Sequence, residues 1–400
     1  MKILIITQYF YPENFRINDL ALGLKEKGHQ VSVLTGIPNY PKGSFFDNYA
    51  FWKNNDEVWN GMKIYRAKIL PRGKGGIKLI LNYLSFAFFC SIKALFIKEK
   101  FDKIFVYQPS PVTVGIPAII ASKKMKIPYY FWVQDLWPAS LSAGGGINNP
   151  YIHQFFNKLT QYIYKKAKVI LIQSNGFISY INKQGNFLDK ITYFPNSAEN
   201  FYKALNPEAN YLNKMPEGFK LLYAGNLGEA QGISTFIDAA KIIQDKGIDI
   251  KWIFLGDGRQ KDHYVSEIKR KNLQKNFFFL GSFPVETMPS FFCCADALIV
   301  SLKNENIFSL TVPSKIPSYL ASGKPILGAL DGEGAKVISD SKAGYVSMPE
   351  NPELFAKIVI DFYNLTNTEK KEMAENAIKY FKKEFDRDML IDRLVTIFEN

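Results

Sequence analysis

One segment of the chain sets its architecture: Lys220-Leu221-Leu222-Tyr223-Ala224-Gly225-Asn226-Leu227-Gly228. An apolar run without polar alternation is typical of a parallel strand buried on both faces, and the glycine at its end permits a tight turn. A helical pattern follows over residues 233–245. This order of strand, turn and helix predicts one unit of a doubly wound α/β domain.

The same alternation continues on both sides of this segment. Downstream, apolar runs predict strands over 251–255, 276–280, 297–300 and 325–329, with helices over 262–271 and 314–321. Upstream, strands are predicted over 2–7, 30–35, 103–107, 129–133 and 169–173, with helices over 17–27 and 112–124. We therefore expect two Rossmann-like domains, 1–200 and 201–380, facing a central cleft, and a terminal helix, 381–400, that returns to the first domain.

Charge is distributed unevenly along the chain. The formal net charge is +13, and the first 200 residues carry +14 whereas the rest carries −1. The first half is therefore expected to face an anionic partner. Three cysteines and a short apolar opening, which we interpret as a buried strand and not as a signal segment, favour a reducing cytoplasm.

Motifs for metal binding or nucleophilic catalysis are missing from the sequence. Its three histidines form no ligand pair, and neither a Gly-x-Ser-x-Gly turn nor a phosphate-loop Gly-Lys-Thr/Ser pattern occurs. The triplet Asp386-Arg387-Asp388 is expected on a solvated face of the terminal helical region. We therefore expect neither a metal ion nor a cofactor.

Glycine-rich turns after the strands of the second half are the stronger signal. Glycine lets backbone N–H groups approach an anion, and a helix N-terminus adds partial positive charge. Lys315 follows Pro313-Ser314 in the first turn of a predicted helix, where the helix dipole disfavours a cation unless an anion lies nearby. A bound diphosphate would supply that anion. Turn glycines without a ligand, and a surface lysine, are the alternatives.

At this point the chain resembles, over nearly its whole length, the GT-B glycosyltransferases of the large retaining family four. The resemblance rests on Gly28-His29-Gln30-Val31, Pro195-Asn196-Ser197 and Ala321-Ser322-Gly323-Lys324-Pro325, which are similar to the family's "GHeV", "PNG" and "A-x-G-x-P" phrases. A subgroup that builds bacterial O-antigen and capsule repeat units, including L-fucosamine transferases, has phrases similar to Pro38-Asn39-Tyr40-Pro41-Lys42-Gly43, Gln134-Asp135-Leu136-Trp137-Pro138 and Pro313-Ser314-Lys315.

The departures from the family pattern concern charged residues. The family's Glu-x7-Glu carboxylates would fall near Leu310 and at Ser318, and its donor-phosphate Arg and Lys would fall at Asn226 and Gln231. Its first-domain histidine would fall at Gln134. If the resemblance holds, binding of the donor diphosphate therefore depends on Lys315 and the glycine turns.

The resemblance implies a role for each candidate residue. Lys315 would stabilise the leaving phosphate, and Asp135 would orient the acceptor hydroxyl or take its proton, with a helix N-cap as the alternative for Asp135. Donor contacts are expected from Gly225, Asn226, Gly228, Gly256, Asp257, Ser282, Phe283, Ser314, Ser318, Gly332 and Gly334. Acceptor contacts are expected from Glu13, Asn14, Arg16, Asn39, Tyr40 and Gln134.

A basic segment precedes an aromatic, nearly apolar stretch at residues 79–89. It holds two acids, Asp56 and Glu57, and seven cations, which are Lys53, Lys63, Arg66, Lys68, Arg72, Lys74 and Lys78. The combination favours in-plane contact with an anionic membrane, and a core helix beside solvated loops is the alternative. Lys78, Asn82 and Lys93 interrupt the stretch, so we expect no transmembrane span.

We therefore expect a metal-independent, retaining enzyme at the inner face of the cell membrane. It would move an N-acetylated amino sugar from a uridine diphosphate (UDP) sugar to a polyprenyl-diphosphate-linked saccharide. An epimerase of GT-B fold and an inactive nucleotide-sugar-binding subunit remain alternatives. Nucleic acid is not an expected partner, because no recognition helix or aromatic RNA-binding phrase accompanies the charge.

Overall fold

The computed structural model describes residues 1–73, 76–141 and 149–400 and divides the chain into two compact units. Unit 1 comprises Met1–Pro195 with Arg387–Asn400, and unit 2 comprises Asn196–Asp386. The structure thus places the division at residue 195, where the sequence-based boundary was 200, and assigns the last fourteen residues to unit 1.

Unit 1 is built on a sheet with the strand order β3-β4-β2-β1-β5-β6-β7-β8. Every pairing in it is parallel except the β3–β4 hairpin. Its strands are β1 (Lys2–Ile6), β2 (Gln30–Gly36), β3 (Glu57–Trp59), β4 (Met62–Ala67), β5 (Lys103–Gln108), β6 (Tyr129–Val133), β7 (Val169–Ile172) and β8 (Ile191–Tyr193). All five residues of β6 are buried, as expected for a central parallel strand.

Helices cover this sheet: α1 (Arg16–Glu26), α2 (Gly76–Phe96), α3 (Gly115–Met125), α4 (Pro150–Lys166) and α5 (Phe177–Lys183). In α1 the buried side chains Ile17, Leu20, Ala21 and Leu24 recur at helical spacing, which turns one face onto the sheet. The hairpin β3–β4 was not predicted.

Unit 2 repeats the plan with the strand order β11-β10-β9-β12-β13-β14, all parallel. These strands are β9 (Phe219–Ala224), β10 (Ile250–Leu255), β11 (Phe277–Gly281), β12 (Ala297–Ser301), β13 (Ile326–Ala329) and β14 (Gly344–Ser347). Its helices are α6 (Ala209–Leu212), α7 (Ser234–Asp245), α8 (Lys261–Arg270), α9 (Met288–Phe292), α10 (Asn306–Ser309), α11 (Lys315–Ala321), α12 (Gly332–Ser341), α13 (Pro352–Tyr363) and α14 (Asn367–Glu384). Both sheets are therefore doubly wound, with the strand order reversing beside β1 and beside β9.

The last helix, α15 (Arg387–Glu399), packs on α1 of unit 1. Arg387 is only 4% exposed and forms ion pairs of 2.8 Å with both Asp19 and Glu26. The expectation that Asp386-Arg387-Asp388 forms a solvated face was wrong for Arg387, because two carboxylates of α1 draw its guanidinium into the interface.

Candidate active site

The carboxyl end of β9 carries the loop Gly225–Gly228, next to the reversal of strand order in unit 2. In parallel α/β sheets such reversals are where ligands bind. The loop is held by main-chain hydrogen bonds from Gly225 N to Leu255 O and from Leu227 N to Asp257 O, each 2.9 Å. These bonds tie it to the strand end of β10.

Lys315 reaches this loop from the first turn of α11, as the sequence predicted for its place in the helix. Its Nζ lies 3.8 Å from the centre of the Tyr223 ring and donates a 3.0 Å hydrogen bond to Gln231 Oε1. Tyr319, one helical turn further along α11, accepts a 3.0 Å hydrogen bond from Ala224 N. Two side chains of α11 therefore attach this helix to the end of β9.

Burial lowers the pKa of Lys315 to about 7. Neither of its two contacts carries a negative charge, so neither offsets the desolvation of the ammonium. A phosphate oxyanion beside it would favour the charged form and restore the ordinary pKa.

Several of the predicted donor-binding glycines have close backbone neighbours. A Cβ on Gly256 would lie 2.0 Å from Gly225 O, and one on Gly332 would lie 1.9 Å from Ser309 O. A Cβ on Gly334 would meet side chains instead, at 2.5 Å from Leu330 Cδ1 and 2.9 Å from Pro313 Cδ. Packing therefore accounts for glycine at these positions without a ligand. The N–H of Gly332 is also occupied, since it donates a 2.6 Å bond to Asp331 Oδ1.

The remaining donor candidates differ in accessibility. Asn226 and Asp257 are exposed, and Gly228 is half-buried. Ser314 and Ser282 are exposed, whereas Ser318 is buried at 4% exposure within α11. Phe283 packs on Phe291 with ring centres 4.6 Å apart. A contact between Ser318 and a ribose would thus require the groups that bury this side chain to move away.

In unit 1, Asp135 is the second residue after β6. The residue between them is Gln134, whose N–H donates to Gln108 O at 3.1 Å. Burial alone raises the pKa of the Asp135 carboxyl to about 7. The helical turn nearby begins at Ala139, so Asp135 is not an N-cap preceding Leu136 and Trp137. A carboxyl that titrates near neutral pH is suited to general-base chemistry.

Glu13 holds the loop that follows β2. Its Oε1 accepts hydrogen bonds from Asn39 N at 2.8 Å and Tyr40 N at 2.7 Å, and its Oε2 accepts one from Phe10 N at 3.3 Å. Burial outweighs these bonds and raises the pKa of Glu13 to about 7. The carboxylate is thus engaged within the protein and positions the candidate acceptor residues Asn39 and Tyr40.

The other acceptor candidates lie close by in the chain but differ in exposure. Asn39 is fully buried, and its side chain donates to Ile37 O at 2.9 Å. Tyr40 is 38% exposed and packs against Tyr9 and Phe15. Asn14 is exposed, and Arg16 is the half-buried first residue of α1.

The predicted basic segment divides into inward and outward residues. Arg66 is 4% exposed and donates through Nε to Glu57 Oε1 at 2.9 Å, so its place on a membrane-facing surface was a wrong expectation. Glu57 neutralises the guanidinium and draws it inside. Lys53, Lys63 and Lys78 are exposed, whereas Lys74 lies outside the described residues.

Helix α2 is long and apolar enough to cross a membrane by length and composition, yet 39% of its most apolar window is buried within the protein. Its outward face carries exposed apolar side chains at helical spacing, at Ile77, Leu81, Leu84, Phe88, Ile92 and Leu95. We call this the α2 apolar face. Its neighbour Phe89 contacts Phe51, and Lys68 Nζ lies 4.8 Å from the ring centre of Trp52, which is 85% exposed.

Among the described residues, no group of three or more His, Cys, Asp or Glu side chains is placed to hold a metal ion. Cys90, Cys293 and Cys294 are buried free thiols.

Two doubly wound units, each with a parallel sheet, are the architecture of the GT-B fold. A solved structure of this class is similar over 100% of both chains, with a TM-score of 0.72 and 14% identity: Alr3699/HepE of Anabaena in complex with UDP. The predicted GT-B fold is therefore confirmed.

The family follows from the sequence of each unit. Residues 14–197 match the glycosyl transferase 4-like domain and residues 208–383 match the glycosyl transferases group 1 domain. The chain belongs to the glycosyltransferases that combine these two domains.

Two curated relatives are glycosyltransferases as well. The chain is 23% identical to the putative colanic acid biosynthesis glycosyl transferase WcaI of Escherichia coli over 81% of this chain and 82% of that protein. It is 22% identical to the probable glycosyltransferase WbjE of Pseudomonas aeruginosa over 63% of this chain and 65% of that protein. The second match thus spans slightly less than two thirds of its relative.

Sequence reasoning did not identify Tyr223 and Tyr319 as parts of the candidate donor site. Tyr223 is the penultimate residue of β9, and Tyr319 lies four residues after Lys315. The place of Tyr319 beside Lys315 could have been predicted from the sequence, because residues i and i+4 lie on the same face of a helix. The contact of Lys315 with Tyr223 depends on how α11 packs against β9.

Proposed function

We propose that this protein is a retaining glycosyltransferase that transfers an N-acetylated amino sugar from a UDP-sugar to a polyprenyl-diphosphate-linked saccharide. The product would enter bacterial O-antigen or capsule assembly. The colanic acid biosynthesis in the name of the relative WcaI supports a polysaccharide pathway, and the UDP bound to HepE supports the donor.

One observation carries the proposal: the Lys315 ammonium is held at the carboxyl end of β9 by two neutral groups. As the bond between the anomeric carbon and the diphosphate oxygen breaks, its electron pair moves onto UDP. Electrostatic stabilisation of such developing charge is usually the largest catalytic contribution. Lys315 bonds to Gln231, one of the two positions where the family resemblance places a cation, so we infer that Lys315 replaces that charge from a different element.

Asp135 would act on the acceptor. Its carboxylate would take the proton of the acceptor hydroxyl while that oxygen forms the new bond to the anomeric carbon. Attack from the face that UDP leaves would retain the configuration without an enzyme-bound intermediate. In this proposal Lys315 supplies the positive potential at the leaving diphosphate, so the step would need no metal ion.

We further propose that unit 1 binds the inner face of the membrane through the α2 apolar face. The exposed Lys53 and Lys78 and the half-buried Lys68 flank aromatic and aliphatic side chains, and each cation near anionic lipid contributes about 1 kcal/mol. Replacing Leu84 and Phe88 by glutamate should abolish sedimentation with vesicles of anionic phospholipid and leave UDP binding unchanged. Equal sedimentation of both proteins would contradict this surface.

A nucleotide-sugar-binding subunit without activity is the second candidate. The neutral side chains at Asn226 and Gln231, where the family resemblance places cations, favour it. The two are separated by incubating the full chain with radiolabelled UDP-N-acetylhexosamines and an extract of lipid-linked saccharides. Transfer of label to lipid supports the enzyme, whereas UDP binding without transfer or donor hydrolysis supports the subunit. An altered sugar in the recovered nucleotide would indicate the epimerase.

A further inference from the structure

Arg72 is a cation of unit 1 that no carboxylate neutralises. Its Nη1 donates a 3.2 Å hydrogen bond to the Tyr9 hydroxyl, and its guanidinium carbon lies 5.3 Å from the centre of the Tyr40 ring. Across residues 1–73, 76–141 and 149–400, no acid forms an ion pair with it. A half-buried guanidinium is costly without a counter-charge. The site is thus built for an anion.

The Tyr9 hydroxyl is oriented by a chain of amides. Asn82 Nδ2 donates to the carbonyl oxygen of Leu70 at 2.6 Å, which leaves Asn82 Oδ1 to accept from Gln8 Nε2 at 2.7 Å. The same Gln8 nitrogen donates to the Tyr9 hydroxyl at 3.2 Å. Because a carbonyl can only accept, this chain fixes the direction of every amide in it.

The Tyr9 oxygen therefore accepts two hydrogen bonds, one from Gln8 and one from Arg72. A phenol oxygen has two lone pairs and one proton, so the proton remains available for an oxygen outside this network. The backbone of Arg72 is fixed as well, since its N–H donates to Asn39 Oδ1 at 3.0 Å. Guanidinium and hydroxyl are thus oriented before any ligand arrives.

We propose that the Arg72 guanidinium and the Tyr9 hydroxyl bind a phosphate oxyanion, and that this phosphate belongs to the diphosphate of the acceptor. The ligand assignment rests on the proposed function, whereas the anion site rests on unit 1 alone. Tyr9 follows β1, where the strand order of the first sheet reverses. Burial raises the pKa of the Tyr83 hydroxyl, Arg72 lowers it and Asp135 raises it further, so the proposed phosphate site and the candidate base both lie near this side chain. The half-exposed Tyr40 ring offers an apolar wall.

The experiment measures binding of geranyl diphosphate and of inorganic pyrophosphate to the full chain by calorimetry, with UDP present at saturation. We expect geranyl diphosphate to bind the wild type more tightly than pyrophosphate. Arg72→Gln should weaken both about tenfold or more, since it removes a cationic donor, and Tyr9→Phe should weaken both a few-fold, since it removes one hydrogen bond from an uncharged donor.

Lys103→Gln is the matched control. Lys103 also lies over a tyrosine ring and donates to its hydroxyl, that of Tyr130 at 3.4 Å, but it begins β5 at the opposite end of the sheet. This variant should bind both probes like the wild type.

Unchanged binding in Arg72→Gln and Tyr9→Phe would overturn the site. Weakened pyrophosphate binding with unchanged geranyl diphosphate binding would overturn the acceptor assignment. UDP binding by each variant reports that the protein is folded, and Tyr9→Phe, which removes one oxygen, keeps the test valid if Arg72→Gln does not fold. Failure of the wild type to bind UDP would contradict the proposed function and leave the anion site standing.

Discussion

The ammonium of Lys315 lies 3.8 Å from the centre of the Tyr223 ring, at the carboxyl end of β9, the first strand of unit 2 in chain order. Its hydrogen-bond acceptor, Gln231 Oε1, is neutral. A cation–π contact and a neutral acceptor each contribute about 1 kcal/mol, less than burial of an ammonium costs. A diphosphate arriving here would meet a cation that is not already neutralised.

Replacing Lys315 by alanine should therefore weaken UDP binding. Loss of a charge-assisted hydrogen bond of about 1.5–3 kcal/mol corresponds to roughly 10–100-fold in affinity. The thermal shift produced by UDP should shrink accordingly. Lys336→Ala is the control, since Lys336 is exposed and pairs with Asp340 on α12. Equal shifts in all three proteins would remove Lys315 from the donor site.

The affinity for UDP should fall as the pH rises above 7. Burial lowers the pKa of Lys315 to about 7, so the free protein loses this cation between pH 7 and 9, whereas a bound diphosphate would keep it protonated. The expected decrease is at most about tenfold per pH unit, with net proton uptake on binding. Calorimetry in two buffers of different ionisation enthalpy measures that uptake. In Lys315→Ala, any proton uptake that remains comes from the titration of UDP itself, and the uptake due to Lys315 should be lost.

Transfer should fail below neutral pH. The carboxyl of Asp135, whose pKa burial raises to about 7, must be ionised to take a proton, so kcat/KM should rise about tenfold per pH unit up to pH 7. Because Lys315 loses its proton above pH 7, kcat/KM should also fall on the basic side, which gives a bell-shaped pH profile with its maximum near pH 7. Asp135→Asn should lower kcat by about 10²-fold or more. Asp102→Asn, at the opposite end of the sheet, should not change kcat; an acidic limb that persists in Asp135→Asn would assign it to another group.

Gly225 should be needed for donor binding beyond its backbone conformation. It has φ +142°, and a Cβ there would lie 3.3 Å from Lys315 Nζ. Gly225→Ala should destabilise the protein by about 1–2 kcal/mol and also weaken UDP binding. Gly247→Ala provides the comparison, because Gly247 has φ +77° and a Cβ added there would have no neighbour within 4 Å. It should lose similar stability but bind UDP normally. Normal UDP binding by Gly225→Ala would argue against this role.

The buried guanidinium of Arg387 should stabilise unit 1. Arg387→Ala removes the cation that pairs with Asp19, which is 22% exposed, and with Glu26, which is 61% exposed, and loss of a charge-assisted hydrogen bond costs about 1.5–3 kcal/mol. Lys27→Ala breaks the other pair between α1 and α15, with Asp392, whose members are 37% and 62% exposed. That change should cost less than about 1 kcal/mol. Urea denaturation followed by tryptophan fluorescence compares the two; equal midpoints would show that Arg387 is dispensable.

Much of the fold was predictable because buried parallel strands appear in the sequence as continuous apolar runs. Tyr129–Val133 has the predicted bounds, and the helix that contains Lys315 begins one residue after the predicted start. The hairpin of Glu57–Trp59 and Met62–Ala67 was missed, since its second strand carries lysine and arginine. The pairing of Arg66 with Glu57 and its hydrogen bonds to Gly36 O and Tyr11 O make that strand compatible with burial.

The candidate site was predictable in its positions but not in its contacts. Lys315 could be selected because a cation in a first helical turn needs compensation. Its partners Tyr223 and Gln231 are brought to it by packing of elements far apart in sequence. Arg72 was counted with neighbouring surface cations, because nothing in its local sequence shows that Tyr9 and Tyr40 receive its guanidinium.

The docking of α15 on α1 has a consequence for biosynthesis. The first unit obtains its last helix only after all of unit 2 has left the ribosome, so the nascent amino-terminal sheet must wait with the apolar surface of α1 uncovered. Unit 2, whose residues are contiguous, can complete its core earlier. Unit 1 therefore completes its packing last, although most of its residues are translated first.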